Sequence, residues 1–471
     1  MKNIFLTSFA AACLLATFSC KTEFETDLAD IQVTKGNADF SKFVSVGNSL
    51  TSGYRDGTLY SDGQKESFPS MMAAQFALAG GGTFTQPMMP NNTGGFTNIP
   101  GFSGKLELKV IGGALSPVAS APAAALDIIG GAGKSFNNMG VPGAKSFHLL
   151  APGYGNPANL ALGTANPYFV RFASSPNASV VTDVVAQNPT FFSLWIGNND
   201  VLGYATTGGD GTDALTPTAT FSSVYNTIVN GLTANGAKGV LANIPNVTSI
   251  PFFTRVPAMP FSTLTAAQIT QLNAAYAPYN GGLAQAKAAN LITDAEYQSR
   301  LIKFTAGIAN GAVINDKDLT NLGALMLPSY RQTTSKDLIL LTTSPLLTAG
   351  GGTSTALADN RVLTEKEIVK VLASTTAFNN IIATTAAAKG LAYVDANSKL
   401  KEMATNSGIN YNGTSFTATF VTGGAFSLDG VHLTGRGYAL IANEFLKSIN
   451  KQYGSTIPMV NVNIYSGVKF P

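Results

Sequence analysis

The sequence predicts an α/β fold with a central parallel sheet, and three features of the chain lead to this prediction. Strand and helix patterns alternate along much of its length. The strand patterns are short apolar runs without polar alternation, which is typical of parallel strands buried on both faces. Most of these runs end in a turn rich in Gly, Asn or Pro. Alternation of strand, helix and strand favours a parallel sheet over an antiparallel one.

The expected elements follow in chain order. Strands are expected at 43–46, 190–196, 239–245 and 391–395. Helices are expected at 69–78, 221–235 and 365–389. The last of these begins after a capping box in which Glu367 pairs with Thr364, and Gly390 stops it. Residues 460–464 alternate apolar and polar side chains with period two, so an edge strand is expected there.

Length and composition indicate one large domain with insertions. The 471 residues would allow two or three domains, but α/β enzymes with insertions also reach this size. We predict a single domain over 41–471, with insertions at about 55–134 and 252–359. The first insertion is rich in Gly, Pro and Asn, and it is either a wall of a substrate site or a surface insertion. The second has capping boxes beginning at Thr265 and Thr293, so a largely helical region over the sheet is expected.

Charge and hydropathy exclude two classes of protein. The formal net charge is only +3, and no dense patch of Lys and Arg is interleaved with aromatic residues, so a nucleic-acid partner is not expected. After residue 20, no run approaches the roughly 20 apolar residues that a membrane-spanning helix requires. The chain is therefore expected neither to bind nucleic acid nor to span a membrane.

The N-terminus predicts export and a lipid anchor. Lys2, an apolar stretch over 4–18 and the pair Ser19-Cys20 form a signal peptide over residues 1–20. Its end resembles a bacterial lipoprotein box, which implies lipidation of Cys20, although ordinary secretion is the alternative. Cys13 leaves with the signal peptide, so no disulfide is expected. Residues 21–40 would form a tether that holds the protein at the outer membrane of a Gram-negative bacterium, facing either the periplasm or the outside.

Ser49 is the first candidate for a chemical role. It follows the strand 43–46 in the turn Gly47-Asn48-Ser49. In open α/β sheets, ligands bind beyond the carboxyl ends of the strands, where this serine would lie. The residues after it can begin a helix, whose free N–H groups favour developing negative charge. Ser49 is therefore a candidate nucleophile, although Gly-x-Ser turns are common.

Two further turns offer donors to the same crevice. Gly143, in Gly140-Val141-Pro142-Gly143, could present its backbone N–H to an anion. Asn199 follows the strand 190–196 and could aim its side-chain amide at the crevice, whereas Asp200 is expected to hold the turn. The alternative for each of them is ordinary turn chemistry.

The sequence Asp429-Gly430-Val431-His432 supplies partners for a serine nucleophile. Neutral imidazole can accept a proton from a serine hydroxyl near neutral pH, and a carboxylate on its other nitrogen fixes the tautomer. The chain contains only two histidines. The other, His148, has no acidic residue within several positions and is the weaker candidate for the base.

Together these four motifs resemble the blocks of the SGNH/GDSL hydrolase family, in the family's order. The resemblance implies a three-layer α/β/α sandwich with a central parallel sheet, of the flavodoxin-like type. It also implies that Ser49 is the nucleophile, His432 the general base and acid, and Asp429 the orienting carboxylate. The implied oxyanion hole comprises the N–H groups of Ser49 and Gly143 and the side-chain amide of Asn199. Asn48 stands where the family usually has aspartate, which should affect the turn more than the chemistry.

The resemblance implies a serine ester hydrolase that works through an acyl-enzyme and needs no metal or cofactor. The substrate would be a small-molecule, lipid or glycan ester, and neither the acyl-chain length nor the oligomeric state is predicted. A carbohydrate O-acetylesterase would perform the same chemistry on another substrate. A non-catalytic, surface-tethered glycan-binding lipoprotein would keep the fold without the activity.

Overall fold

A computed structural model of the protein describes residues 32–471. The predicted signal peptide, Cys20 and most of the predicted tether lie outside the described residues. Packing of the domain begins before residue 41, because Ala38 and Phe40 are already buried. The ring of Phe40 stacks on Phe76 with 4.0 Å between the ring centroids.

The described chain contains short strands and helices of very different length. The strands are β1 (Phe43–Gly47), β2 (Leu106–Ile111), β3 (Ala114–Ala119), β4 (Asn138–Gly140), β5 (Phe191–Trp195), β6 (Lys238–Ala242), β7 (Val313–Asn315), β8 (Tyr330–Gln332), β9 (Leu338–Ile339), β10 (Val362–Leu363), β11 (Ala392–Val394), β12 (Ile409–Tyr411) and β13 (Thr414–Phe416). The helices are α1 (Ser49–Ser52), α2 (Ser61–Lys65), α3 (Phe68–Ala77), α4 (Pro167–Val170), α5 (Val180–Val185), α6 (Asn198–Thr206), α7 (Thr218–Thr233), α8 (Pro251–Thr254), α9 (Ala266–Ala288), α10 (Asp294–Arg300), α11 (Ser344–Thr348), α12 (Glu365–Lys389), α13 (Ala396–Met403) and α14 (Gly435–Tyr453).

The centre of the domain is a five-stranded parallel sheet in the order β11-β6-β5-β1-β4. Strand β1 is buried throughout, as expected for a strand covered on both faces. In the register of the sheet, Gly47 lies beside Gly140 on one side and Trp195 on the other. The carboxyl ends of β4, β1 and β5 therefore reach the same edge of the sheet together.

Helices cover both faces of this sheet. On one face, α3 packs against α14, and the rings of Phe68 and Phe445 stack at 4.7 Å. On the other face, α7 packs against α12, and Phe221 stacks on Phe378 at 4.1 Å. The predicted three-layer α/β/α sandwich is confirmed. No helix within residues 32–471 is both long enough and apolar enough to cross a membrane.

The predicted edge strand at 460–464 is wrong. Val462–Ile464 is a single turn of 3₁₀ helix. The side chain of Asn443 in α14 bonds both the N–H of Val460, at 2.7 Å, and its carbonyl oxygen, at 2.9 Å. The side chain of Asn443 therefore replaces the backbone groups that a neighbouring strand would supply to Val460. The period-two pattern arises because Val460 and Val462 are buried against the domain.

The two predicted insertions differ in how they pack. Helix α3 lies within the predicted insertion 55–134, but its residues Phe68 and Phe76 belong to the main core. The hairpin of β2 and β3 in the same segment is largely exposed. The region 252–359 is only partly helical, because α9 and α10 are accompanied by the antiparallel pair of β7 and β8. It has an apolar cluster of its own, built around Leu283, Ile302, Phe304 and Val313.

Candidate active site

Ser49 is the first residue of α1, directly beyond the carboxyl end of β1. Glycine is required at residue 47, since a β-carbon there would lie 2.4 Å from the carbonyl oxygen of Trp195. Asn48 caps α1, and its side-chain oxygen accepts the N–H of Leu50 at 3.0 Å. Asparagine and aspartate are about equally good N-caps, so the departure from the usual aspartate leaves this turn intact.

His432 joins Ser49 to Asp429 through two hydrogen bonds. The Nε2 atom of His432 lies 2.8 Å from the hydroxyl oxygen of Ser49. The Nδ1 atom on the other side of the ring lies 2.8 Å from Oδ2 of Asp429. Residues that are 383 positions apart in the chain are thus linked in one relay of hydroxyl, imidazole and carboxylate.

Several donors surround the carboxylate of Asp429. Its Oδ1 atom accepts the backbone N–H groups of Val431, at 2.9 Å, and His432, at 2.8 Å. Its Oδ2 atom also accepts the N–H of Gly57 at 3.0 Å. Burial acts to raise the pKa of Asp429, but the charge of His432 and these hydrogen bonds outweigh burial and hold the pKa well below its usual range. The carboxylate is therefore ionised at neutral pH.

The ring of Tyr54 packs against the imidazole of His432, with 4.6 Å between the centroids. Its backbone is bonded on both sides: the N–H donates to the carbonyl of Ser49 at 3.0 Å, and the carbonyl accepts the hydroxyl of Tyr438 at 2.6 Å. Burial raises the pKa of Tyr54 well above its usual value, so the phenol stays protonated. Tyr54 fixes one face of the imidazole.

The predicted oxyanion donors follow the neighbouring strands at the same edge of the sheet. Gly143 follows β4 and has a left-handed backbone, with φ of 80°, which favours glycine. Asn199 lies in the first turn of α6, after β5, and is half-buried. Within residues 32–471, no protein atom accepts the N–H of either Ser49 or Gly143. These two N–H groups are available to a bound anion.

The sequence predicted that Asp200 would hold its own turn, but its carboxylate instead bonds Ser146, which lies 54 residues earlier in the chain. Asp200 is fully buried, and it accepts the N–H of Ser146 at 2.8 Å and the hydroxyl of Ser146 at 2.6 Å. Burial raises the pKa of Asp200, although the bonds from Ser146 act in the opposite direction. Because Ser146 lies three residues after Gly143, this contact ties the glycine turn to α6.

His148 has a structural environment and is not part of the relay. Its Nδ1 atom accepts the N–H of Lys145 at 3.0 Å, and its ring stacks on Tyr154 with 4.7 Å between the centroids. Burial, together with the charge of Lys145, lowers the pKa of His148 to about 4. The ring is therefore neutral at neutral pH and serves as a packing and hydrogen-bonding group.

Sequence reasoning missed two groups beside the relay, Tyr54 and the backbone N–H of Gly57. Nothing in the sequence around Tyr54 indicates a contact with a residue of the C-terminal part. The dipeptide Asp56-Gly57 does carry a signal, because Asp-Gly is typical of a two-residue β-hairpin turn. That signal predicts the turn but not its partner.

A comparison with known protein families identifies the family of the chain. The model of the GDSL-like lipase/acylhydrolase family matches residues 43–445, and the chain belongs to this family of ester hydrolases. No curated protein matches the chain.

Several solved structures are similar to the chain. A lipase/acylhydrolase from Enterococcus faecalis shares 11% identity over 89% of this chain and 99% of its own, with a TM-score of 0.31. An extracellular lipase from Streptomyces rimosus shares 13% identity over 88% of this chain and 99% of its own, with a TM-score of 0.33.

Proposed function

We propose that this ester hydrolase is a serine enzyme in which Ser49 is the nucleophile, His432 the general base and acid, and Asp429 the orienting carboxylate. The observation that carries the proposal is the pair of 2.8 Å contacts that His432 makes, one with each partner. A base must lie within hydrogen-bonding distance of the proton that it removes, and a third group must orient the base. Both conditions are met by these three side chains.

The first half of the reaction is acyl transfer to the enzyme. The hydroxyl oxygen of Ser49 attacks the ester carbonyl carbon while its proton passes to Nε2 of His432. The tetrahedral intermediate then collapses, the bond between the carbonyl carbon and the alcohol oxygen breaks, and His432 gives its proton to the leaving alcohol. Asp429, ionised and bonded to Nδ1, stabilises the imidazolium that forms between these two steps.

The second half releases the acid. Water attacks the acyl group on Ser49, and its proton passes to His432. When the intermediate collapses, the same proton returns to the oxygen of Ser49. Each half of the reaction places negative charge on the carbonyl oxygen. We assign the stabilisation of this charge to the N–H groups of Ser49 and Gly143 and the side-chain amide of Asn199. Donors held in place before the reaction stabilise such charge without reorganisation.

Labelling and turnover together test this proposal. The purified protein would be assayed on p-nitrophenyl esters from acetate to long acyl chains, then treated with an alkyl phosphonate and digested for mass spectrometry. Hydrolysis with the phosphonate bound at Ser49 supports the proposal, and the preferred chain length separates a lipid acylhydrolase from an acetylesterase. Absence of both hydrolysis and labelling would instead favour the non-catalytic binding protein.

We also propose that Cys20 carries a lipid that holds the protein at the outer membrane. The support is the sequence alone: Lys2, the apolar stretch 4–18 and Ser19 precede this cysteine. In a Gram-negative host grown with labelled palmitate, the parent should incorporate label and float with outer-membrane fractions. Cys20→Ala should not be labelled, and an unlabelled parent would contradict the proposal.

A further inference from the structure

A tight turn lies directly behind the carboxylate of the relay. The N–H of Arg55 donates to the carbonyl of Thr58, and the N–H of Thr58 donates to the carbonyl of Arg55, both at 3.2 Å. The two residues between them have left-handed backbones, with φ of 52° at Asp56 and 77° at Gly57. Left-handed φ at both central positions is the mark of the type I′ turn, for which Asp-Gly is a favoured pair.

This turn contacts three consecutive residues of the segment that carries the relay's acid. The N–H of Asp56 donates to the hydroxyl of Ser427 at 3.0 Å. In return, Oδ1 of Asp56 accepts the N–H of Leu428 at 3.0 Å. The N–H of Gly57 donates to Oδ2 of Asp429 at 3.0 Å, which is the same oxygen that bonds His432.

Ser427 links the turn to the other carboxylate oxygen of Asp429 by hydrogen bonds. It is buried, and its hydroxyl lies 3.2 Å from Oδ1 of Asp429. Because the hydroxyl oxygen accepts the N–H of Asp56, its hydrogen is directed away from the turn and toward the carboxylate. The turn therefore supplies or orients a donor to each oxygen of Asp429.

The turn itself is held by a largely buried network. The hydroxyl of Tyr60 donates to Oδ2 of Asp56 at 2.7 Å, and Nε of Arg55 donates to the oxygen of Tyr60 at 2.6 Å. Arg55 is buried and pairs with Glu66 at 2.6 Å. Buried polar and charged groups are costly when they are unpaired, so a network such as this one is stable only if each group has a hydrogen-bonding partner. Asp56 is consequently fixed from one side by Tyr60 and from the other by Leu428.

We propose that Asp56 and Ser427 are positioning residues of the esterase reaction, which fix the carboxylate of Asp429 at the angle that His432 requires. This inference rests on the proposed function. Both residues act through Asp429, and neither is assigned a contact with substrate. Their loss should therefore lower kcat and leave KM close to the parental value. The partners that orient the ligands of metal sites typically contribute about 10- to 100-fold to affinity or activity, and we expect kcat to fall by a factor of that order.

Two substitutions at residue 56 separate the side chain from the turn. Asp56→Ala removes the acceptor of Leu428 N–H, whereas Asp56→Asn keeps an oxygen acceptor and a residue type that tolerates left-handed φ. Asp56→Asn should retain most of the parental kcat.

Ser427→Ala tests the positioning role independently, because it removes the donor to Oδ1 of Asp429 without placing alanine in a left-handed backbone. The double variant Asp56→Ala/Ser427→Ala should lose less than the product of the two single losses, since both act on one carboxylate.

The chain offers a matched control in a second turn of the same kind. Asn412 and Gly413, between β12 and β13, have φ of 50° and 76°. Asn412→Ala imposes the same backbone strain as Asp56→Ala in a turn that makes no contact with the relay. It should lower the melting temperature only by the cost of this backbone strain, because Asn412 is exposed, and it should leave kcat unchanged. Ser49→Ala, assayed in parallel, reports on the proposed function itself.

The outcomes are distinct. The inference is supported if Asp56→Ala and Ser427→Ala lose kcat at constant KM while Asp56→Asn and Asn412→Ala do not. Parental kcat in both Asp56→Ala and Ser427→Ala, with Ser49→Ala inactive, overturns the inference and leaves the esterase intact. Equal loss of kcat in Asn412→Ala and Asp56→Ala also overturns it, because the cause would then be general instability. An active Ser49→Ala would refute the proposed function, and the positioning role would fall with it.

Discussion

The side-chain amide of Asn199 donates a hydrogen bond to the carbonyl oxygen of Ala144 at 2.9 Å. This bond joins the first turn of α6 to the residue after Gly143. The adjacent Asp200 accepts hydrogen bonds from Ser146, so two neighbouring residues of α6 are bonded to the loop that follows Gly143. Two of the groups that we assign to the oxyanion hole, Asn199 and the N–H of Gly143, therefore belong to one connected unit at the edge of the sheet.

Replacing Asn199 with alanine should lower kcat more than it changes KM. Loss of one oxyanion donor typically costs about 10²- to 10³-fold in kcat, because the donor acts on charge that is present mainly in the transition state. The variant would be compared with the parent on p-nitrophenyl acetate. Asn199→Asp, which keeps the shape but brings a negative charge, should lose at least as much. Parental kcat in both variants would remove Asn199 from the oxyanion hole.

Replacing Asp200 should reduce stability. In Asp200→Ala the N–H and hydroxyl of Ser146 lose their acceptor inside the protein, and an unsatisfied buried group costs about 1–3 kcal/mol. Urea denaturation at neutral pH should show a fall of that order in the free energy of unfolding. Asp200→Asn retains one acceptor oxygen and should lose less. An unchanged unfolding free energy in Asp200→Ala would show that the contact contributes nothing.

Replacing His148 with asparagine should change the pH dependence of stability but not catalysis. The pKa of His148 is about 4 in the folded protein, against 6.5 for an unperturbed histidine. The unfolded chain therefore binds the proton more readily than the folded protein does. The contribution of neutral His148 to the free energy of unfolding is complete above pH 6.5 and is lost as the pH falls toward 4. The decline in unfolding free energy across this interval should be smaller in His148→Asn. A large loss of kcat at neutral pH would contradict the assignment of His432 as the base.

The sequence was sufficient for four of the five strands of the sheet, but not for the three-residue strand β4. A parallel strand buried on both faces must be apolar, so β1, β5, β6 and β11 are visible as short apolar runs. The carboxyl ends of neighbouring parallel strands lie at one edge of the sheet, and Ser49 and Asn199 follow β1 and β5 at that edge. The family assignment rested on these positions together with the motifs around Gly143 and Asp429-Gly430-Val431-His432, and it is confirmed.

Contacts made by irregular loops were not predictable in the same way. Gly57 and Asp429 are 372 residues apart, and the bond between them depends on how an irregular loop packs. The alternation over 460–464 was misleading for a related reason. A period-two pattern indicates only that one face of the segment is buried. The N–H and carbonyl groups of Val460 are bonded by the side chain of Asn443 rather than by a neighbouring strand.

The most direct test of the account is the hydrolysis of p-nitrophenyl acetate by Ser49→Ala, measured beside the parent and with the thermal melting of both proteins. If the three side chains act as a unit, kcat should fall on the order of 10⁶-fold, as in serine proteases, while the melting temperature stays close to the parental value. A folded Ser49→Ala protein that hydrolyses the ester at the parental rate would contradict the assignment of the nucleophile.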